Sequence, residues 1–168
     1  FADTHLHLCA NEGFGGGIVI GKNFSPLGVT KALADCSPIH GKNGVSDIIG
    51  DLTEGRISHD TSGWPDFKFW PYNNSMTHQL VYYRWLERAY RGGLRLAVCH
   101  AVSNALLCRL YGSPPGYACP DRVAVDRQLA EIKTLENYIA AQCGGPGKGW
   151  FRIVDSPTEA REVIANGK

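Results

Sequence analysis

The sequence predicts an α/β fold built on a parallel sheet. Three short, strongly apolar runs, at residues 1–8, 94–102 and 150–155, read as strands. Helical patterns stand between and after them, and strands alternating with helices build parallel sheets. The runs are apolar nearly throughout, as strands covered on both faces are.

The first strand carries the most informative residues, His5 and His7. Side chains two apart share a face of a strand. Two imidazoles side by side can close on one metal ion, and this is the preferred reading of the pair. The alternative is an incidental spacing, since an isolated His-X-His is common. Apolar Ala2, Leu6 and Leu8 place the pair on a buried element. Asp3 either orients a ligand imidazole or caps the start of the strand. Cys9 reads as a packed thiol, with a role as an extra ligand as the alternative.

Residues 9–75 follow as a long irregular segment rich in Gly, Asn, Asp, Ser and Pro. So long a connection reads as an insertion, a lid or the wall of a site. Its glycine cluster at residues 13–17 marks turns. It is not a phosphate loop, because Gly21 and Lys22 lack the upstream glycine spacing and the following Ser or Thr. His40 and His59 are candidates for contact with substrate or a second metal. Trp64, Phe67, Phe69, Trp70 and Tyr72 either pack the segment onto the body or line a substrate pocket, with Trp70 the substrate-binding candidate.

Residues 76–91 show a helical pattern in Leu80, Tyr83, Leu86 and Tyr90, closed by Gly92 and Gly93. His78, near its start, reads as a structural hydrogen-bonding group. The second strand, residues 94–102, ends near His100 and Asn104. His100 is a further substrate-binding candidate, or else a satisfied core group. Arg95 is either an anion binder or an exposed strand-edge residue. Cys108 and Cys119 then bracket a Gly/Pro-rich loop. They read either as a disulfide, which implies an extracellular or periplasmic location, or as two reduced thiols. No Cys-X-X-Cys occurs among the six cysteines, which argues against a zinc ribbon. Asp121 is a candidate N-cap for a helix striped with Val125, Leu129, Ile132, Leu135 and Ile139. Residues 150–155 are the third strand. Ser156, Pro157 and Glu159 form a capping box for the last helix.

In parallel α/β folds, functional residues gather at the C-terminal ends of the strands. His5, His7, His100, Asn104 and Asp155 all fall there. The 168 residues suffice for one domain. A net charge of +1 with interspersed charges argues against nucleic acid as a partner. There is no apolar run of membrane-spanning length. The chain starts without Met and ends where a fourth strand is expected. It therefore reads as the N-terminal part of something larger, with the remainder C-terminal to Lys168.

Ala2-Asp3-Thr4-His5-Leu6-His7 resembles the first-strand motif of metal-dependent hydrolases of the amidohydrolase superfamily. Residues 153–168 resemble the segment leading into the fourth strand in the membrane-dipeptidase branch. Residues 77–86 with 92–96 resemble secreted bacterial members of that broad group. This chain has His-X-His where membrane dipeptidases carry His-X-Asp, which points to the wider superfamily. The resemblance implies the N-terminal portion of a parallel (β/α)8 TIM-type barrel, with residues 9–75 inserted after the first strand. It implies a site for one or two divalent ions, typically zinc, with His5 and His7 on the more buried one. Further ligands would lie beyond Lys168.

The function expected is therefore metal-dependent hydrolysis of an amide, peptide or ester bond in a small molecule or peptide. One alternative is a phosphoesterase on a similar barrel, which would need a basic cluster that is not obvious here. The other is a non-catalytic, disulfide-stapled extracellular binding module.

Overall fold

The computed structural model of the chain describes residues 1–68 and 75–168. Its sheet, among the described residues, has two strands: β1 (Ala2–Leu6) and β2 (Leu96–Cys99), paired in parallel. Ala2 stands opposite Leu96, Asp3 opposite Ala97 and Leu6 opposite Cys99. Three steps along β1 thus match two along β2, so β1 carries a one-residue bulge between Asp3 and Leu6. The helical segments are α1 (Val29–Ala32), α2 (Ser37–His40), α3 (Ile48–Glu54), α4 (Tyr83–Arg91), α5 (Ala105–Tyr111), α6 (Asp121–Gln142) and α7 (Pro157–Ala165).

This corrects the expectation of a partial TIM barrel: the described residues form a small α/β domain with a two-stranded parallel sheet. The third predicted strand is the point of departure. Residues 150–155 are in no strand. The Glu136 carboxylate accepts the Ile153 N–H at 3.0 Å, a donor that a ladder would otherwise use, and also holds Arg152 Nε at 3.0 Å. The Trp150 ring stacks on Tyr90 of α4 at 5.4 Å. An apolar groove of about 620 Å³, lined by Leu96, Val98, Trp150, Ile153, Val163 and Ile164 among others, lies between this segment and β2. Nor is the sheet covered on both faces: residues 2–5 of β1 are exposed.

The core lies beside the sheet. Leu8, Phe24 and Leu33 pack in one buried cluster with Leu86 of α4 and with Leu135 and Ile139 of α6. The segment expected as an insertion, residues 9–75, thus supplies part of the same core and carries, among its described residues, three short α-helices of its own. The helix expected over residues 76–91 begins only at Tyr83. Before it the chain is extended and held by distant backbone. Ile20 N–H donates to Thr77 O at 2.8 Å, Gln79 N–H to Ile20 O at 2.7 Å, and Tyr83 N–H to Asn23 O at 2.7 Å. Those bonds offer residues 77–79 an alternative to the helical ladder.

Helix α6 forms where its apolar stripe predicts; of that stripe Leu135 and Ile139 are buried, Val125 and Ile132 are half-buried, and Leu129 is exposed. Asp121 is its first residue and not its cap; Pro120 holds the cap position. Helix α7 opens as predicted: Ser156 Oγ accepts the Glu159 N–H at 3.2 Å, and the Glu159 carboxylate reaches back to Asp155 N–H at 2.9 Å. No helix among the described residues is long and apolar enough to cross a membrane.

Cys108 and Cys119 form a disulfide, with their Cα atoms 5.5 Å apart. Gly15 explains the glycine cluster of residues 13–17. Its φ is +78°, and a Cβ there would stand 2.2 Å from Cys108 Sγ. Only glycine admits both the conformation and the approach. Closing a loop of sequence separation 11 is worth about 3 kcal/mol on the chain-entropy model. Replacing both cysteines by serine is expected to lower stability by about that amount, read as a lower urea midpoint. An unchanged midpoint would show that the bridge contributes nothing in solution.

Candidate metal centres

Two histidine clusters stand in the fold, one open and one buried. The open one grows from the end of β1. The bulge re-aims the strand, and the Asp3 carboxylate accepts the His5 N–H at 3.0 Å, so Asp3 serves the backbone. His5 Nε2 and His7 Nε2 come within 3.0 Å of each other. His7 Nδ1 lies 2.9 Å from the His100 carbonyl. This bond orients the ring and assigns its Nδ1 the proton, so its Nε2 accepts from His5 Nε2–H. His100, directly after β2, stacks on His5 with centroids 4.6 Å apart, and its Nε2 lies 3.2 Å from Thr4 O. His5 and His100 are exposed and His7 is half-buried. Among the described residues, no third His, Cys, Asp or Glu ligand atom joins the pair in a metal-sized group.

The buried cluster joins Cys36, His40, His59 and His78, all shielded from solvent. One potential ligand atom from each lies within 4.8 Å of every other. Cys36 and His40 are four apart across α2, so one helical turn puts them on one face. His59 is delivered by its own backbone, whose N–H donates to Asn43 O at 2.9 Å. His78 sits in the isolated parallel bridge with Ile20. Cys36 Sγ lies 3.3 Å from His59 Nε2. The three imidazoles meet edge to face in every pairing, with interplanar angles of 86°, 82° and 85°.

The outward ring nitrogens face oxygen. His78 Nδ1 is 3.0 Å from Ser75 Oγ. His40 Nδ1 and His59 Nδ1 lie 3.8 and 3.7 Å from Asp47 Oδ2, and His59 Nδ1 also lies 3.8 Å from Asp51 Oδ1. Asp47 is placed as the N-cap of α3: its Oδ1 accepts the Gly50 N–H at 3.0 Å and its Oδ2 accepts the Thr77 hydroxyl at 2.7 Å. Gly44, with φ at +72°, makes room for this arrangement. A Cβ there would stand 2.3 Å from His59 Nδ1. Asp47, Asp51 and His59 also form a three-ligand group. The Arg56 guanidinium lies among them, 3.7 Å from Asp47 and 3.4 Å from Asp51, and supplies the positive charge an ion there would bring.

No family model, curated protein or solved structure matches the chain. The chemistry therefore rests on the side chains themselves. Burial lowers the pKa of all three clustered histidines; in His78 it acts together with its two imidazole neighbours and pushes the value down to about 2. All three rings are thus neutral near pH 7, the form that binds metal. Burial, then the nearby Asp35 carboxylate, pushes the Cys36 thiol up to about 12. A buried Cys/His cluster of this kind could hold a metal ion.

Of the residues singled out in the sequence, His40 and His59 come together here, joined by Cys36 and His78. His100 joins His5 and His7. Trp70, with Phe69 and Tyr72 of the aromatic cluster, lies outside the described residues. Phe67 packs against the core, edge-on to Trp64 at 5.7 Å. Asn104 caps α5, accepting the Leu106 and Leu107 N–H groups. Arg95 is held at the start of β2 by Tyr90, through its carbonyl at 2.6 Å and its ring face at 4.6 Å. Cys9 is a buried thiol that accepts a hydrogen bond from Asn23 at 3.2 Å; burial raises its pKa. Cys36 is the ligand candidate that sequence reasoning passed over. Its signal was the Cys-X-X-X-His spacing to His40.

Proposed function

We propose that the chain is a metal-binding domain of hydrolytic function, acting on an amide, peptide or ester bond through a divalent ion held by His5 and His7. The observation that supports this reading is the convergence of the two Nε2 atoms, 3.0 Å apart, in the open at the end of a parallel strand pair. Zinc in such a place supplies a water acidified from about 15.7 to about 7 and a Lewis acid for the oxygen that gains charge.

The chain's own part is to hold and orient. The His100 carbonyl fixes the His7 tautomer, so that the Nε2 lone pair points toward His5 Nε2, where a bound ion would take the place of the proton between them. His100 covers one face of His5 and anchors to the Thr4 carbonyl, which limits rotation of the His5 ring. With His5 exposed and His7 half-buried, solvent and a substrate are free to approach, in keeping with a catalytic and not a structural site. A disulfide is compatible with an extracellular location, and we place the protein outside the cytosol.

The test is metal analysis with activity. His5→Ala/His7→Ala is expected to remove one ion per chain and to abolish hydrolysis of an activated ester and of simple dipeptides. Unchanged metal content in the double variant refutes the reading.

A further inference from the structure

We infer that Cys36, His40, His59 and His78 form a second, independent metal centre: a closed, four-coordinate zinc site that cross-links the segment between residues 36 and 78. Four observations carry it.

The first is the ligand set. One thiol and three imidazoles suit borderline-soft zinc, and Cys/His quartets are its usual structural ligands. The second is spacing. Zinc–nitrogen bonds of about 2.0–2.1 Å and zinc–sulfur bonds of about 2.3 Å, set tetrahedrally, place donors about 3.3–3.6 Å apart. The Cys36 Sγ to His59 Nε2 distance is 3.3 Å, and the whole set spans at most 4.8 Å.

The third is orientation. The three rings stand edge to face in every pairing. Ser75 and Asp47 face the Nδ1 atoms of His78, His40 and His59, which leaves each Nε2 as the ligand nitrogen. Zinc-bound histidines use such outer oxygen partners to fix their tautomers. The fourth is enclosure with a way in. All four residues are buried, which leaves no open position for a reacting water. A cleft of about 230 Å³ lined by His40, Asp47, Ile49 and Thr77 among others reaches one of the four ligands, His40, which is where an ion would enter.

The ligands come from three separate stretches of chain: the turn of α2, residue 59 and residue 78. An ion held by them ties together a region whose own helices are very short. Its role is therefore to hold the fold.

The experiment uses the full chain in a Cys143→Ser background, because Cys143 is an exposed thiol. Protein produced with zinc is analysed for bound metal, and zinc is then exchanged for cobalt. The His5→Ala/His7→Ala variant is expected to retain one zinc per chain, and its cobalt form to show a near-ultraviolet thiolate-to-cobalt band. Cys36→His is expected to keep the ion and lose that band, since it replaces the thiolate but preserves four ligands. Cys36→Ala/His59→Ala is expected to lose the ion. A His5→Ala/His7→Ala protein without zinc overturns the inference. So does a thiolate band that survives Cys36→His. The hydrolytic reading fails if His5→Ala/His7→Ala loses no ion relative to the unmodified chain, whereas the present inference fails if that variant holds none, so the two failures are distinct.

Discussion

Stripping zinc from the chain with a strong chelator is expected to lower its Tm by about 8–16 °C. A ligand present at a thousand times its Kd stabilises the folded state by about 4.1 kcal/mol. For a domain of this size each kcal/mol moves Tm by about 2–4 °C. The effect should be local before it is global. Helices α1 and α2 are four residues long and α3 is seven, far below the roughly 12–15 residues at which a helix holds itself in water. Their stability must come from packing and cross-links. Amide exchange should therefore accelerate first over residues 36–61. Helix α6, with 22 residues and its own buried stripe, should keep its protection. Differential scanning calorimetry and hydrogen exchange, with and without chelator, measure the two parts. An unchanged Tm together with an unchanged exchange pattern would remove the structural role assigned to the buried centre.

The parts of this fold that were readable in advance are those decided locally. The α6 stripe needs only a period of 3.6 residues, and the α7 start needs only Ser156, Pro157 and Glu159 in register. The bridge between Cys108 and Cys119 spans one short loop. Residues 150–155 look like a strand by composition, but strand identity depends on a partner. There the Glu136 side chain takes the Ile153 N–H, and the Trp150 ring stacks on Tyr90 of α4. Neither contact leaves a local trace in the sequence. The same distinction divides the two clusters. His5 and His7 are neighbours in the chain, so their pairing shows in a two-residue spacing. Cys36 and His40 share one helical turn, which is also a local signal. His59 and His78 reach them by closing loops of about 20 and 40 residues, set by bonds such as His59 N–H to Asn43 O and Gln79 N–H to Ile20 O. Those closures are tertiary, and a single sequence does not display them.

Asp47 is the residue whose loss should reach furthest, because one carboxylate serves five partners. It caps α3 through the Gly50 N–H, accepts the Thr77 hydroxyl, faces the Nδ1 atoms of His40 and His59, and lies 3.7 Å from Arg56. Its side chain is only 3% exposed, so water cannot replace it. Breaking a buried ion pair by removing one partner costs about 3–5 kcal/mol, and loss of an N-cap about 0.5–2 kcal/mol. Arg56 keeps Asp51 and Glu54 at 3.4 and 3.5 Å, which holds the total for Asp47→Ala near about 3 kcal/mol, within the first of those ranges. Asp47→Asn separates charge from hydrogen bonding. Its amide oxygen can still accept the Gly50 N–H, but it no longer offers the two imidazoles an anion. Outer-shell substitutions of this kind lower metal affinity by about 10–100-fold. Asp47→Asn is thus expected to weaken zinc binding by that factor at a smaller cost in stability than Asp47→Ala. Competition with a chromophoric chelator reads the affinity, and urea unfolding in excess chelator reads the metal-independent stability. If Asp47→Asn binds zinc as tightly as the unmodified chain, the carboxylate does not orient the ligand histidines. Asp47 would then act only as a helix cap and as the counter-ion of Arg56.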